Sequence, residues 1–208
     1  MNIIIFGASG KVGSQLVEVL LERGHNITVF IHSSGNFTES ANLHITHGDI
    51  HDQKSVEDAI VGQEVIVSTL GSWGTKHKDI VSTATKHLIP AMKKAGITRI
   101  VTVTGAGAKM PQEKLSLLYS INRTAISLGA GKILKDSENH LKLLQESSLE
   151  WTSVRSPIMN SKDTARYKLS NTPPAPWAFI SRHAVVLALL NIIENNPMPK
   201  QAPYISSK

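Results

Sequence analysis

With 208 residues, 41% hydrophobic and 18% charged, the chain is long enough for a buried core and too apolar to be disordered as a whole. It has no cysteine, which excludes a disulfide framework, a thiolate nucleophile, a Cys-bearing zinc site and a Cys-ligated iron–sulfur cluster. The formal net charge of +6 is spread along the chain, and its densest pieces, Lys76-His77-Lys78 and Lys93-Lys94, are short, so a solvated basic surface is expected rather than a nucleic-acid patch.

Strand and helix signals alternate from the start. Ile3 to Phe6 is a short apolar run ending at Gly7, as expected of a parallel strand buried on both faces. From Val12 the pattern turns helical, with Val12, Leu16, Val17, Leu20 and Leu21 on one face and Gly24 as the stop. Ile27 to Ile31 reads as the second strand, Leu43 to Thr46 as a weak third, Ser55 to Val61 as a short helix and Val65 to Val67 as the fourth strand, closed by Gly71. A long helix is expected over Asp79 to Ala95 with Pro90 as a kink or break. Arg99 to Thr104 is the fifth strand, two helical segments follow over Glu113 to Ser127 and Asp136 to Ser147, and Trp151 to Arg155 is the sixth strand. Asn171 to Pro176 reads as a loop, and Ser181 as the N-cap of a last helix ending near Asn195. The alternation predicts an α/β fold of the Rossmann-like, doubly wound type, a mostly parallel sheet with helices on both faces. The first strand-like run begins at Asn2, leaving no room for a signal peptide, and no apolar stretch reaches a membrane span; the expected location is cytoplasmic, with no membrane partner.

The strongest chemical signal is Gly7-Ala8-Ser9-Gly10-Lys11-Val12-Gly13, which follows a strand and opens an amphipathic helix. One glycine permits the tight turn, another lets the backbone approach a pyrophosphate, and the third lets helix and strand pack closely, while the helix N-terminus offers free N–H groups to phosphates. A phosphate-binding loop of the Walker type fails at Ile5 and Val12, and a nucleophile elbow fails at Lys11, so Ser9 is a turn residue and phosphate ligand. The end of the second strand reads Phe30-Ile31-His32-Ser33-Ser34, with no acid between Glu22 and Glu39. A ribose 2′-OH is commonly read by an acid there; its absence, with His32 and Ser33 in its place, favours NADP over NAD. Asp49 and Ile50 follow the third strand, where Asp49 can hydrogen-bond an adenine amino group or cap a turn. Thr69, Leu70 and Gly71 end the fourth strand where backbone would pass the cofactor ribose. His44, His47, His51 and Asp49 match no zinc spacing, and no metal is expected.

Taken together with Gly48-Asp49-Ile50, Ile100 to Thr104, Leu149 to Pro157 and Ile180-Ser181-Arg182, the glycine loop resembles the atypical short-chain dehydrogenase/reductase superfamily. The branch it is most similar to holds small NAD(P)H-binding proteins akin to biliverdin reductase B (a flavin reductase) and NmrA-like proteins. The resemblance covers essentially the whole chain. It implies one NAD(P)-binding domain over 1–208, with the part from about 156 to 208 completing the substrate crevice, and a nicotinamide near Thr104, Pro157 and Ile158. The activity implied is NADPH-dependent hydride transfer to a small planar acceptor such as a flavin or quinone; the alternative is a non-catalytic redox sensor.

The superfamily's Tyr and Lys, four residues apart, are displaced here. Tyr204 and Lys208 have the spacing at the far C-terminal end, and Tyr119 has Arg123 in place of lysine. Thr104 and Tyr119 are the candidate catalytic residues, with packing as the competing role for each. Trp73, after the fourth strand, is a candidate aromatic wall beside the nicotinamide or a packing plug. A redox-silent scaffold or RNA-binding protein is the third reading. The sequence does not specify an oligomeric state.

Overall fold

The computed structural model describes residues 1–32, 36–73, 75–114 and 116–208. The first strand, β1 (Asn2–Phe6), alternates between two cores: Ile3 and Ile5 enter one apolar cluster, Ile4 and Phe6 the other. Helix α1 (Lys11–Glu22) buries Leu16, Val17 and Leu20 in the first cluster, as its period predicts. Strands β2 (Asn26–Ile31) and β3 (Leu43–His47) follow, then α2 (Gln53–Ala59), whose N-cap Asp52 accepts from Lys54 N at 3.0 Å. After β4 (Val65–Ser68), α3 (Ile80–Ala95) runs unbroken through Pro90 and ends at Gly96, whose φ of 72° is the left-handed cap. Pro90 lies on the exposed face, where water can take the carbonyl that the missing N–H leaves free.

Strand β5 (Arg99–Gly105) leads to α4 (Leu117–Glu146), two helical stretches joined across a kink at Ala130, in keeping with the two segments expected though with different bounds. Its backbone leaves helical geometry at Ala130, between Gly129 and Gly131, so the first stretch ends at the glycines and the second starts beyond them in a changed direction. After β6 (Glu150–Ser156) come three short strands that carry no periodic signal, β7 (Ile158–Asn160), β8 (Lys168–Ser170) and β9 (Phe179–Ser181). Ser181 caps α5 (Arg182–Asn195), accepting from Ala184 N at 3.3 Å, and β10 (Tyr204–Ser206) closes the chain.

The main sheet has the order β3-β2-β1-β4-β5-β6-β10-β8, parallel throughout except for the β10–β8 pair, and β7 pairs with β9 in a separate two-stranded sheet. The chain moves outward from β1 in one direction through β2 and β3, then returns to β4 on β1's other side and moves away through β5 and β6. The crevice of such a sheet lies at that switch, beyond the carboxyl ends of β1 and β4. Helices α1 and α5 cover one face and α2, α3 and α4 the other. The two sheet edges differ: β8 is three residues long and carries Lys168, whereas β3 is longer and its Ile45 N donates to Glu39 Oε1 at 3.3 Å. Among the described residues no helix is long and apolar enough to cross a membrane.

Candidate functional site

Gly7 has a φ of 84°, and a Cβ there would stand 2.8 Å from the backbone of Thr69 and Leu70. Gly13 is tighter still, since its Cβ would fall 2.3 Å from the Gly7 carbonyl. Gly10 differs: its Cβ would meet only the Gly7 carbonyl, at 3.2 Å. The fold therefore demands Gly7 and Gly13, while the bare backbone at Gly10 faces outward, as a cradle for an approaching group would. Ser9, Gly10 and Lys11 are exposed and Val12 half-buried. Gly10 is the N-cap of α1 with no side-chain hydrogen bond at that cap, so the N–H groups of the first turn remain available to an anion. Thr69 closes the loop from behind, its hydroxyl donating to the carbonyls of Phe6 and Gly7 at 3.2 and 3.0 Å.

Beside α1's first turn, Lys11, Ser14, Ser161, Lys162 and Arg182 line a cavity of about 350 Å³, and Arg182 donates to Ser161 Oγ at 2.7 Å. At the other end of the crevice, His32 is exposed and its Nδ1 stands 4.0 Å from Asp49 Oδ2. Asp49, in the loop after β3, has its Oδ1 accepting from His51 N at 2.9 Å. Ser33 lies outside the described residues. Gly48 has a packing role that the sequence does not announce: a Cβ there would strike the Phe30 ring at 2.5 Å, so the glycine lets this loop close against β2. Ile50 points into the core among α2 and α3 side chains, which leaves only its backbone for a ligand. Leu70 packs on the same core, and Gly71 is exposed, with open space within 4 Å of where a Cβ would stand.

Thr104 is 9% exposed at the end of β5, in register with Arg155 on β6. Pro157 and the exposed Ile158 follow β6, with Ile158 paired to Phe179 across the small sheet. Tyr119 comes to the same end, but its hydroxyl donates to the Ala106 carbonyl at 2.6 Å. Burial pushes its pKa up; Arg155 opposes that shift and Glu113 adds to it. Arg123 is turned away into an ion pair with Glu138 at 2.5 Å. Trp73 is exposed.

Tyr204, despite its place at the far end of the sequence, sits in a buried polar cluster. Arg155 Nη1 donates to Glu113 Oε2 at 2.5 Å and to the Tyr204 hydroxyl at 2.8 Å, and that hydroxyl donates to Glu113 Oε1 at 3.0 Å. Burial works against the Glu113 charge, but hydrogen bonds from Arg155, Met110 N and Tyr204 outweigh it and hold the carboxyl below its usual range. Arg155 and Glu113 are 42 positions apart, a separation that leaves no local signal. His140 is likewise silent in the sequence. Fully buried, it bridges Thr85 on α3 through Nδ1 at 2.6 Å and Thr102 on β5 through Nε2 at 2.9 Å. Because the Thr85 hydroxyl donates to the Val81 carbonyl, the coherent assignment has Nδ1–H donating to Thr85 and Thr102 donating to Nε2.

A model of the NAD(P)H-binding family matches residues 7–196. Sterol demethylase protein B of Methylococcus capsulatus is 28% identical over 116 residues, a match spanning 52% of this chain and 35% of that protein. An anaerobilin reductase, ChuY, from Escherichia coli O157:H7 superposes with a TM-score of 0.81 at 20% identity, covering 100% of this chain and 97% of that one. A short-chain dehydrogenase/reductase from Veillonella parvula in complex with NADP gives 0.78 at 18% identity, covering 99% and 94%. At such identities the structural likeness speaks for the fold.

Proposed function

Since the chain belongs to the NAD(P)H-binding family, we propose that it is an NADPH-dependent reductase of a small planar acceptor such as a flavin or quinone, working in the cytoplasm. The observation that carries this reading is the glycine loop: two glycines demanded by the fold, a third left bare toward the crevice, and an uncapped helix end behind it. Reduced nicotinamide, when bound, supplies the hydride. The first-turn N–H groups and Ser9 hold the pyrophosphate, with Lys11 beside them. His32 meets the 2′-phosphate, Asp49 and the Ile50 backbone the adenine, and Thr69 to Gly71 the ribose by their backbone. Thr104, Pro157 and Ile158 form the wall beside the nicotinamide, where Thr104 Oγ1 can hold a hydrogen bond or a proton at the acceptor. Residues from about 156 to 208 complete that acceptor side.

NADPH oxidation measured against a panel of flavins and quinones tests the reading; tight NADPH binding without turnover on any acceptor would refute it. That outcome would favour a regulatory binding protein, for which the bond of Tyr119 to the Ala106 carbonyl is the supporting observation. Cofactor choice has its own test. His32→Asp should shift preference from NADPH toward NADH, less so at high salt because the group is exposed. Tighter binding of NADH than NADPH by the unmodified protein would refute the preference.

A further inference from the structure

Among the described residues a second cavity is lined by four lysines. We propose that this cavity, between the loop after β4, the start of α3 and the middle of α4, binds the phosphate group of a small molecule; the proposal rests on the reductase reading only for the source of that phosphate. Its volume is about 390 Å³. Lys76, Lys78, Lys132 and Lys135 line it with His77, against two acids, Asp79 and Asp136. One of those acids is already spent. Asp136 Oδ2 accepts from Ser72 Oγ at 2.5 Å and Val81 N at 3.1 Å, and Oδ1 from Ser82 N at 2.8 Å.

The lysine ion pairs among the described residues are Lys54–Asp58, Lys94–Glu57 and Lys142–Glu146, all elsewhere. Lys78 Nζ donates to the carbonyls of Ser72 and Thr75 at 3.3 and 2.6 Å, which fastens the loop and leaves Lys76, Lys132 and Lys135 for a ligand. Lys132 and Lys135 are three apart on α4 and share a face, where like charges repel unless an anion lies between them and the opposite wall. Phosphate answers this arrangement better than a carboxylate, because its charge and acceptor oxygens can meet several ammonium groups together. A concavity of this size also suits a compact ester rather than the extended backbone of a nucleic acid.

The cavity adjoins the candidate site. Ser72 follows Gly71, and Asp136 lies one helical turn before His140, which is bonded to Thr102 on the strand that ends near Thr104. A phosphate held here would belong either to the tail of the acceptor or to a separate phosphorylated effector.

Calorimetric titration of the full chain with inorganic pyrophosphate, at one ionic strength, tests the site. Gly10→Val serves as the control that disables the glycine loop, and thermal melts confirm that each variant is folded. With the lysine changes made in the Gly10→Val background, so that the glycine loop takes no pyrophosphate, affinity should fall about tenfold in K132Q/K135Q and further in K132E/K135E. Absence of binding by the unmodified protein, binding abolished by Gly10→Val, or binding in that background unmoved by either lysine pair, would overturn the proposal. FMN and riboflavin distinguish the two sources. Loss of FMN affinity by the same factor with riboflavin unchanged assigns the phosphate to the acceptor; pyrophosphate affected with FMN unmoved assigns it to an effector, and both support the site. Pyrophosphate binding that follows the lysines without any flavin turnover keeps the site and removes the reductase reading. Flavin turnover with pyrophosphate indifferent to the lysines does the reverse.

Discussion

Gly10 and Gly13 belong to one motif but carry different burdens. A side chain at Gly13 collides with backbone 2.3 Å away, so Gly13→Ala should cost roughly 1–3 kcal/mol of stability, seen as a lowered melting temperature. A Cβ at Gly10 makes only one tight contact, 3.2 Å from the Gly7 carbonyl, so Gly10→Val should lower the melt less than Gly13→Ala while weakening NADPH binding at least about tenfold in a fluorescence titration. Equal effects of the two substitutions on both readouts would contradict this division. His140 gives a second prediction. Desolvation lowers its pKa from 6.5 to about 4, so the native protein keeps it neutral where the unfolded chain takes a proton. Its contribution is complete above pH 6.5 and is lost as pH falls toward 4, amounting to about 3 kcal/mol at most. His140→Gln should therefore be less stable than the unmodified protein at pH 7 and lose less stability between pH 7 and about 4.5 in urea melts; parallel losses would refute the assignment. The glycine loop is legible in the sequence because its meaning is packed into seven adjacent residues. His140 is not, because its partners Thr85 and Thr102 lie 55 and 38 positions away and nothing in the helix around it marks the ring as buried.

Helix starts show the same contrast between near and distant causes. Ser181 immediately precedes the helix it caps and is readable from sequence; α3 is held at its start by Asp136, on another helix. Ser181→Ala should cost about 1 kcal/mol, the ordinary loss of a cap. Asp136→Ala also strands the Ser72 hydroxyl and two buried N–H groups, so it should cost about 2–4 kcal/mol in chemical denaturation; a loss no larger than that of Ser181→Ala would refute the account. Strands β1 and β4 at the centre of the sheet are legible because each is buried on both faces and reads as an apolar run. Strands β7 to β10, three residues each, owe their conformation to partners: Tyr204 sits between Arg155 and Ser170 in the sheet, a register no local pattern announces. The glycines around Ala130 read as a gap between helices, and the backbone breaks helical geometry there, while contacts of α4 with α3 and β5 keep the two stretches nearly continuous.

At the scale of the molecule, the sheet order puts β1 and β4 side by side at the point where the winding reverses, which gathers the glycine loop, the loop after β4 and the lysine-lined cavity at one end. The same order leaves β8 and β3 at the flanks, β3 partly covered where Leu43 and Ser40 exchange backbone hydrogen bonds, and these flanks set how copies of the protein meet in concentrated solution. Strand β8 offers too little length for intermolecular pairing and places a lysine on it, whereas β3 offers five residues with no acid or permanent cation among them. Glu39, bonded to Ile45 N, blocks a donor that another strand would otherwise use. Glu39→Ala should therefore raise light scattering during prolonged storage at high concentration while leaving the melting temperature almost unchanged, and Thr46→Lys in the same background should reverse it. Colloidal stability in this protein would then depend on the short stretch at Glu39 and Ser40 that covers one flank of the sheet, separately from the forces that keep each molecule folded.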